Sequence, residues 1–215
     1  MTIDLTSDAE WALLDPLNSE ASPQAPVWKY IIVHHTGAEE KNTEQIRRYH
    51  KSLGWRDIGY HYVIERDGRL VPGRSDSLPG AHCVAGKMNY QGLGVALIGN
   101  FECRSPYSGQ LETLETLLLY LMFKYQIPVV NVMGHGTVHG AATKCPGKLF
   151  NHGHLMPLRL EINGRVSPAR VRLVDGRSEM LTTEDQWVHI PSLIKQLGGN
   201  TRWSEATRAV IAQIW

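Results

Sequence analysis

Two imidazoles and one thiol stand out for the chemistry they could do together. His34 lies in Val-His-His-Thr at 33–36, His135 in Gly-His at 134–135, and Cys145 in Lys-Cys-Pro-Gly at 144–147. Two nitrogens and a sulfur suit a borderline-soft cation that favours tetrahedral ligation, which is Zn2+. Three protein ligands leave a fourth position for water, the arrangement of a catalytic rather than a closed structural site. The chemistry expected is metal-assisted hydrolysis. No HxxxH or CxxC motif gathers the three locally, so strand ends and a loop must bring them together.

Positioning them calls for a sheet with helices against it. Residues 30–33 are a continuous apolar run, as in a strand buried on both faces, and His34 stands at its carboxyl end. Asn42 is a good N-cap with Gln45 at the third helical position. Ile46, Tyr49, His50 and Leu53 recur at helical spacing and Gly54 ends the run, which predicts a helix. His50 on that apolar face reads as a core histidine. Segments 58–65 and 69–72 flank Asp67-Gly68, a strong hairpin turn. The Gly-, Pro- and Ser-rich stretch from Pro72 to Gly92 is too long for a mere connector and reads as binding surface. Residues 93–98 form another buried strand. Leu111, Leu114, Leu118, Leu121, Met122 and Tyr125 mark a long helix stopped by Pro128, and 129–132 is a short strand before Gly134-His135. Strands alternating with helices imply an α/β fold with one mixed central sheet flanked by helices.

A chain of 215 residues has room for a main domain and a small appended one. Residues 1–26 read as an amino-terminal arm, 27–154 as the main domain and 155–215 as a small α+β module. In that module Asn163-Gly164 and Asp175-Gly176 are hairpin turns, 190–197 is a small helix and 209–214 a closing strand. Nine of the ten histidines fall between 34 and 154, which puts the chemistry in the main domain. A net charge of +1 without a Lys/Arg cluster gives no drive toward nucleic acid, and the apolar runs are too short for membrane insertion. Asp4, Asp8, Glu10, Asp15 and Glu20 precede the first basic residue, Lys29, which is the opposite of a secretory signal. Synthesis in a cytoplasm, with action elsewhere after release, is therefore expected. Three cysteines are an odd number at wide spacing, so no disulfide framework is expected, and Cys83 and Cys103 read as lone buried thiols.

The strings around the candidate ligands are more specific than the ligands. IIVHHTG, IRRYHKSLGWRDIGYHYVIERDG, PGAHCVAGKMNYQGLGVALIGNF and GHGTVHGAATKCPG follow in order across residues 31–147. They resemble the zinc-dependent N-acetylmuramoyl-L-alanine amidases of type 2, which include phage endolysins and peptidoglycan recognition proteins. The resemblance implies cleavage of the amide between N-acetylmuramic acid and L-alanine, with peptidoglycan as the partner and the protein acting as a monomer. It maps the zinc ligands to His34, His135 and Cys145 and the catalytic tyrosine to Tyr60, which would donate to the developing oxyanion. A second assisting residue falls on Thr143 by position, with Lys144 beside it as the charged alternative. It also places His82 and Asn89 in contact with substrate. The ten residues from His135 to Cys145 exceed the interval in those two groups, leaving His139 as a rival ligand.

The remaining candidates fall outside the ligand set. His35 should face away from His34 because adjacent strand residues point to opposite sides, as a packing residue or as a support behind the ligands, and His61 alternates with Tyr60 in the same way and reads as core. Glu102 follows a strand as an exposed loop carboxylate. Residues 160–213 weakly resemble the copper amine oxidase N-terminal-like module of cell-wall proteins, without the ligands for copper. That resemblance implies either a wall-binding role or a packing appendage.

Overall fold

A computed structural model describes residues 26–155 throughout and, beyond them, the strands between 159 and 213 together with Lys195 and Gly198. The amino-terminal arm except Pro26, the module's two turn dipeptides, and its expected helix except Lys195 lie outside the described residues.

Five strands build the central sheet: β1 (Tyr30–His35), β2 (Tyr62–Ile64), β3 (Leu70–Pro72), β4 (Gly92–Leu97) and β5 (Val132–Gly134), in the order β3-β2-β4-β1-β5. Strand β1 pairs in parallel with β4 and β5, β2 pairs in parallel with β4, and β3 joins β2 antiparallel. Helices α1 (Thr43–Ser52), α2 (Met88–Gln91) and α3 (Ser108–Tyr125) complete it. This is the mixed α/β arrangement expected.

The period of two along each strand divides the core. Ile31 and Val33 of β1, with Leu93, Val95 and Leu97 of β4, pack on Leu114, Leu117, Leu118, Leu121 and Met122 of α3. Burying such side chains is worth about 1.5–3 kcal/mol each, so packing rather than intrinsic propensity holds α3. Ile32 points the other way, into a cluster with Cys83, Met88 and Val138, and His34 shares its side. On β4 that front side carries only Gly92, Gly94 and Ala96, the register partners of Tyr30, Ile32 and His34. Helix α1 covers the front of β2, where Ile46 packs with Val63, Ile58 and Ile98.

Several boundaries depart from expectation, each for a local reason. Helix α1 is capped by Asn42, whose side chain accepts from the Gln45 N–H at 3.0 Å, but Tyr49 is exposed and only Ile46 and His50 of the expected face are buried. Strand β2 begins at Tyr62 instead of 58. The carbonyls of Asp57 and Ile58 are taken by the buried Arg74 guanidinium, and Gly59 exchanges with Ala81 and His50, which keeps residues 57–59 out of the ladder. Residues 129–131 form a 3-10 turn, with the Asn131 N–H bonded to the Pro128 carbonyl, so β5 starts at Val132. Cys103 is exposed, contrary to the expected buried thiol, whereas Cys83 is buried.

Beyond residue 155 the strands are β6 (Arg159–Ile162), β7 (Arg165–Val166), β8 (Val171–Val174), β9 (Arg177–Leu181), β10 (Trp187–His189), β11 (Asn200–Ser204) and β12 (Ala209–Gln213). They form one sheet in the order β10-β9-β8 and another in the order β11-β12-β6-β7. Ile162 pairs with Arg165 and Val174 with Arg177, both antiparallel, on either side of the two Gly-containing dipeptides.

Candidate metal centre

His34 ends β1 on the front face, His135 begins a 3-10 turn directly after β5, and Cys145 sits in the loop that follows. Because β1 and β5 are parallel neighbours, their carboxyl ends coincide and the two imidazoles meet, with ring centroids 4.6 Å apart. The Cys145 loop is drawn in by the Gly136 N–H, which donates to the Cys145 carbonyl at 2.6 Å. A Cβ on Gly136 would stand 2.8 Å from that carbonyl oxygen, so the close approach requires glycine. On its far side the loop is fixed by the Glu102 carboxylate, which accepts from the Lys148 N–H at 2.7 Å, giving the loop carboxylate a structural task.

The three ligand atoms lie within 4.8 Å of one another. Cys145 Sγ is 3.7 Å from His34 Nδ1, against about 3.5 Å expected between sulfur and nitrogen on a tetrahedral zinc. Electrostatics agree with the geometry. Burial, then the neighbouring histidines 82, 135 and 35, hold His34 well below the ordinary imidazole value. Burial and His35 bring His135 down to about 4. Both rings are therefore neutral lone-pair donors at neutral pH. Burial pushes the Cys145 thiol up to about 12 despite an opposing contribution from the His35 main chain, so the thiol is protonated at neutral pH. A bound dication reverses that preference. Two neutral imidazoles and a buried thiol that ionises only against a cation fit Zn2+.

The other sequence candidates fall into distinct places. The Tyr60 ring lies 5.3 Å from that of His34 and 5.6 Å from that of His50. Burial, reinforced by Cys145 and Glu40, raises its phenol, which keeps it a proton donor. Thr143 is exposed beside the site, its hydroxyl accepting from the Cys145 N–H at 3.2 Å. Lys144 is exposed, and its carbonyl accepts from the Gly147 N–H. His139 is exposed and outside the ligand group. The ten-residue interval is taken up by a turn in which Ala141 N–H bonds to the Val138 carbonyl, with Val138 buried as its anchor.

His35 points to the back of the sheet, where its Nδ1 accepts from the Phe101 N–H at 3.0 Å. His61 is a core residue, its Nδ1 accepting from the Gly94 N–H and its Nε2 lying 3.1 Å from the Leu78 carbonyl. His50 is likewise buried and accepts from the Gly59 N–H at 3.1 Å.

Asn89 and His82 are both held by the long loop. Asn89 is buried, and its side-chain oxygen accepts from both the His82 and the Cys83 N–H groups at 2.8 Å. Through that oxygen it organises the loop. Both ring nitrogens of His82 are also engaged: Nδ1 with His34 Nε2 at 3.0 Å and Nε2 with the Gly92 carbonyl at 3.0 Å. The sequence reading missed this contact and the buried Arg74, which donates to the carbonyls of Ile58, Pro79 and Asp57. Arg74 ties the segment carrying Tyr60 to the loop carrying His82.

Known proteins are similar to this chain in sequence and fold. The family model described as N-acetylmuramoyl-L-alanine amidase matches residues 23–148, more than half of the chain and all of the residues just placed. The chain belongs to the N-acetylmuramoyl-L-alanine amidase family. Among its relatives, the endolysin of Escherichia phage T7 is 33% identical over 104 residues, covering 45% of this chain and 68% of the phage protein. Peptidoglycan-recognition protein SD of Drosophila melanogaster is 32% identical over 155 residues, 68% of this chain and 81% of that protein. Among solved structures, the N-acetylmuramoyl-L-alanine amidase LysC from Clostridium intestinale superimposes with a TM-score of 0.55 at 31% identity, over 64% of this chain and 91% of that one. Drosophila PGRP-LB in complex with tracheal cytotoxin gives 0.51 at 30% identity, over 60% and 80%.

Proposed function

We propose that this protein is a zinc-dependent amidase that hydrolyses the bond between N-acetylmuramic acid and L-alanine in peptidoglycan, acting as a cell-wall-lytic endolysin. The observation that carries the reading is the convergence of His34, His135 and Cys145 beneath the Tyr60 ring, inside the segment matched by the family. His34 Nδ1, a His135 ring nitrogen and Cys145 Sγ would hold the ion. A zinc ion so held supplies Lewis acidity toward the scissile carbonyl and activates water near neutral pH.

The chain's own residues supply the rest. Tyr60 keeps its proton at neutral pH and donates it as a hydrogen bond to the oxyanion that develops on the scissile carbonyl. Thr143, whose hydroxyl accepts from the Cys145 N–H, is the candidate by position for steering the nucleophile or the departing amine, and Lys144 is the charged alternative. The solvent-exposed Val84 and Tyr90 lie in the long loop and offer apolar surface to a muramyl peptide. Kinship with a phage endolysin supports the lytic role, in which a protein made in the cytoplasm reaches the wall after release. Residues 155–215 would then help hold the enzyme on the polymer, where tethered sites raise the effective concentration.

The test is digestion of purified cell walls with and without a chelator, followed by separation of products. Free stem peptides beginning with L-alanine, lost with chelator and restored by zinc, are expected. New reducing sugar ends without free L-alanine amines, or no cleavage in the presence of zinc, would refute the reading.

A further inference from the structure

The ring of His82 occupies a slot that the sheet makes for it. A Cβ on Gly94, in β4, would stand 2.4 Å from His82 Cδ2, and one on Gly80 would stand equally close at 2.4 Å. Only glycine at both positions lets an imidazole lie flat between the loop and the strand. The loop is fixed around it, because Asn89 receives the N–H groups of His82 and Cys83 on its side chain and that of Gly80 on its carbonyl.

The bonds made in that slot have a fixed direction. The Gly92 carbonyl can only accept, so His82 Nε2, 3.0 Å away, carries a hydrogen. A neutral His82 then has a bare Nδ1, which accepts from His34 Nε2 at 3.0 Å. His34 in turn has its hydrogen on Nε2 and a bare Nδ1, the atom 3.7 Å from Cys145 Sγ. A main-chain carbonyl thus sets, through two imidazoles, which nitrogen of His34 faces the cation site.

We infer that His82 is a positioning residue that locks His34 in its Nε2–H tautomer and presents the Nδ1 lone pair to the metal, with Gly80 and Gly94 building the slot that holds it. The inference rests on reading His34 as a metal ligand, but not on the identity of the substrate. Partners of this kind orient a ligand and raise its basicity, and losing one typically weakens metal binding about 10- to 100-fold.

The apo full-length chain gives the first test, by long-range nitrogen–proton correlation of the histidine rings at neutral pH. A protonated Nε2 and bare Nδ1 on His34 are expected. Hydrogen on His34 Nδ1 would overturn the inference, as would averaging between the tautomers. The second test is zinc affinity by competition with a chromophoric chelator. In His82→Asn the carboxamide falls where Nδ1 stood and can still accept from His34, whereas in His82→Gln it falls where Nε2 stood and keeps only the Gly92 bond. His82→Gln should lose about 10- to 100-fold in affinity, and His82→Asn less than half of that loss on a logarithmic scale. Equal losses would mark His82 as mere packing and refute the positioning role, as would unchanged affinity in both. Should the walls prove not to be cleaved while the tautomer and the affinity split hold, the positioning role stands and only the substrate reading falls.

Discussion

Asp76 fastens the long loop to the rest of the molecule, and replacing it by Asn isolates the value of its charge. Its carboxylate accepts from the Tyr125 hydroxyl, from Lys124 Nζ at 3.0 Å and from the Tyr62 hydroxyl at 3.3 Å, joining the loop to α3 and β2. Its main-chain carbonyl also accepts from the Trp28 indole at 2.8 Å. The Tyr125 hydrogen bond, followed by those of Lys124 and Tyr62, holds the Asp76 carboxyl below its ordinary value despite an opposing contribution from burial. Hydrogen bonds to a charged group contribute about 1.5–3 kcal/mol when buried. The Asp76 side chain is 29% exposed and Lys124 40%, so solvent screening reduces the expected loss in Asp76→Asn to about 1–2 kcal/mol. For a chain of this size that is a fall in Tm of about 2–8 °C at neutral pH. The sign of the pH dependence follows from the direction of the shift. A depressed carboxyl stabilises the fold fully above its unfolded value of about 3.9 and ceases to do so as the pH falls through the lower folded value. The difference between wild type and Asp76→Asn should therefore be constant at neutral pH and shrink in acid, read by urea denaturation at a series of pH values. A difference that persists undiminished in acid, or an Asn variant as stable as wild type at neutral pH, would refute the reasoning.

Other substitutions separate ligation, catalysis and packing. Tyr60→Phe should lower kcat about 10²- to 10³-fold while zinc affinity stays unchanged, because only the oxyanion donor is removed; a parallel loss of zinc would show that the ring is holding the site together instead. Cys145→Ser should abolish tight zinc binding and His139→Ala should not, and the reverse result, measured by metal content after dialysis, would overturn the ligand assignment. Leu118→Ala, at a position without solvent exposure beneath the sheet, should cost about 2–5 kcal/mol of unfolding free energy; a loss under about 1 kcal/mol would mean that α3 is not packed as described.

The main elements were legible because their signals are local. Asn42 and Gln45 cap α1, Asp67-Gly68 turns the β2–β3 hairpin, and apolar runs mark β1 and β4. What failed was legible only in three dimensions. Segment 58–61 has the composition of a strand, but the buried Arg74 claims two of the carbonyls beside it, and no pattern in the sequence says that an arginine sixteen residues beyond Ile58 will point inward. Tyr49 sits at helical spacing with the buried Ile46 and His50 and is still exposed, so the buried stripe of α1 is narrower than the periodicity suggests.

The site was legible at its ligands and opaque just behind them. His34, His135 and Cys145 could be named because their chemistry is scarce and each lies at a strand end or a proline-held loop. His82 could be noticed but not placed, since nothing local to it says whether a loop histidine faces outward to a ligand or inward to another histidine. The signal that would have decided it lies on a different strand. The sequence Gly-Leu-Gly-Val-Ala-Leu of β4 puts large residues on the α3 side and only Gly92, Gly94 and Ala96 on the other. A buried strand face without side chains must be filled by something from outside the sheet. In this fold a glycine-bearing strand next to the strand that carries the candidate ligand His34 makes room for a second tier of side chains, and the loop that follows in space supplies it. The small residues of β4 are therefore as much a part of the candidate metal site as the histidine they accommodate.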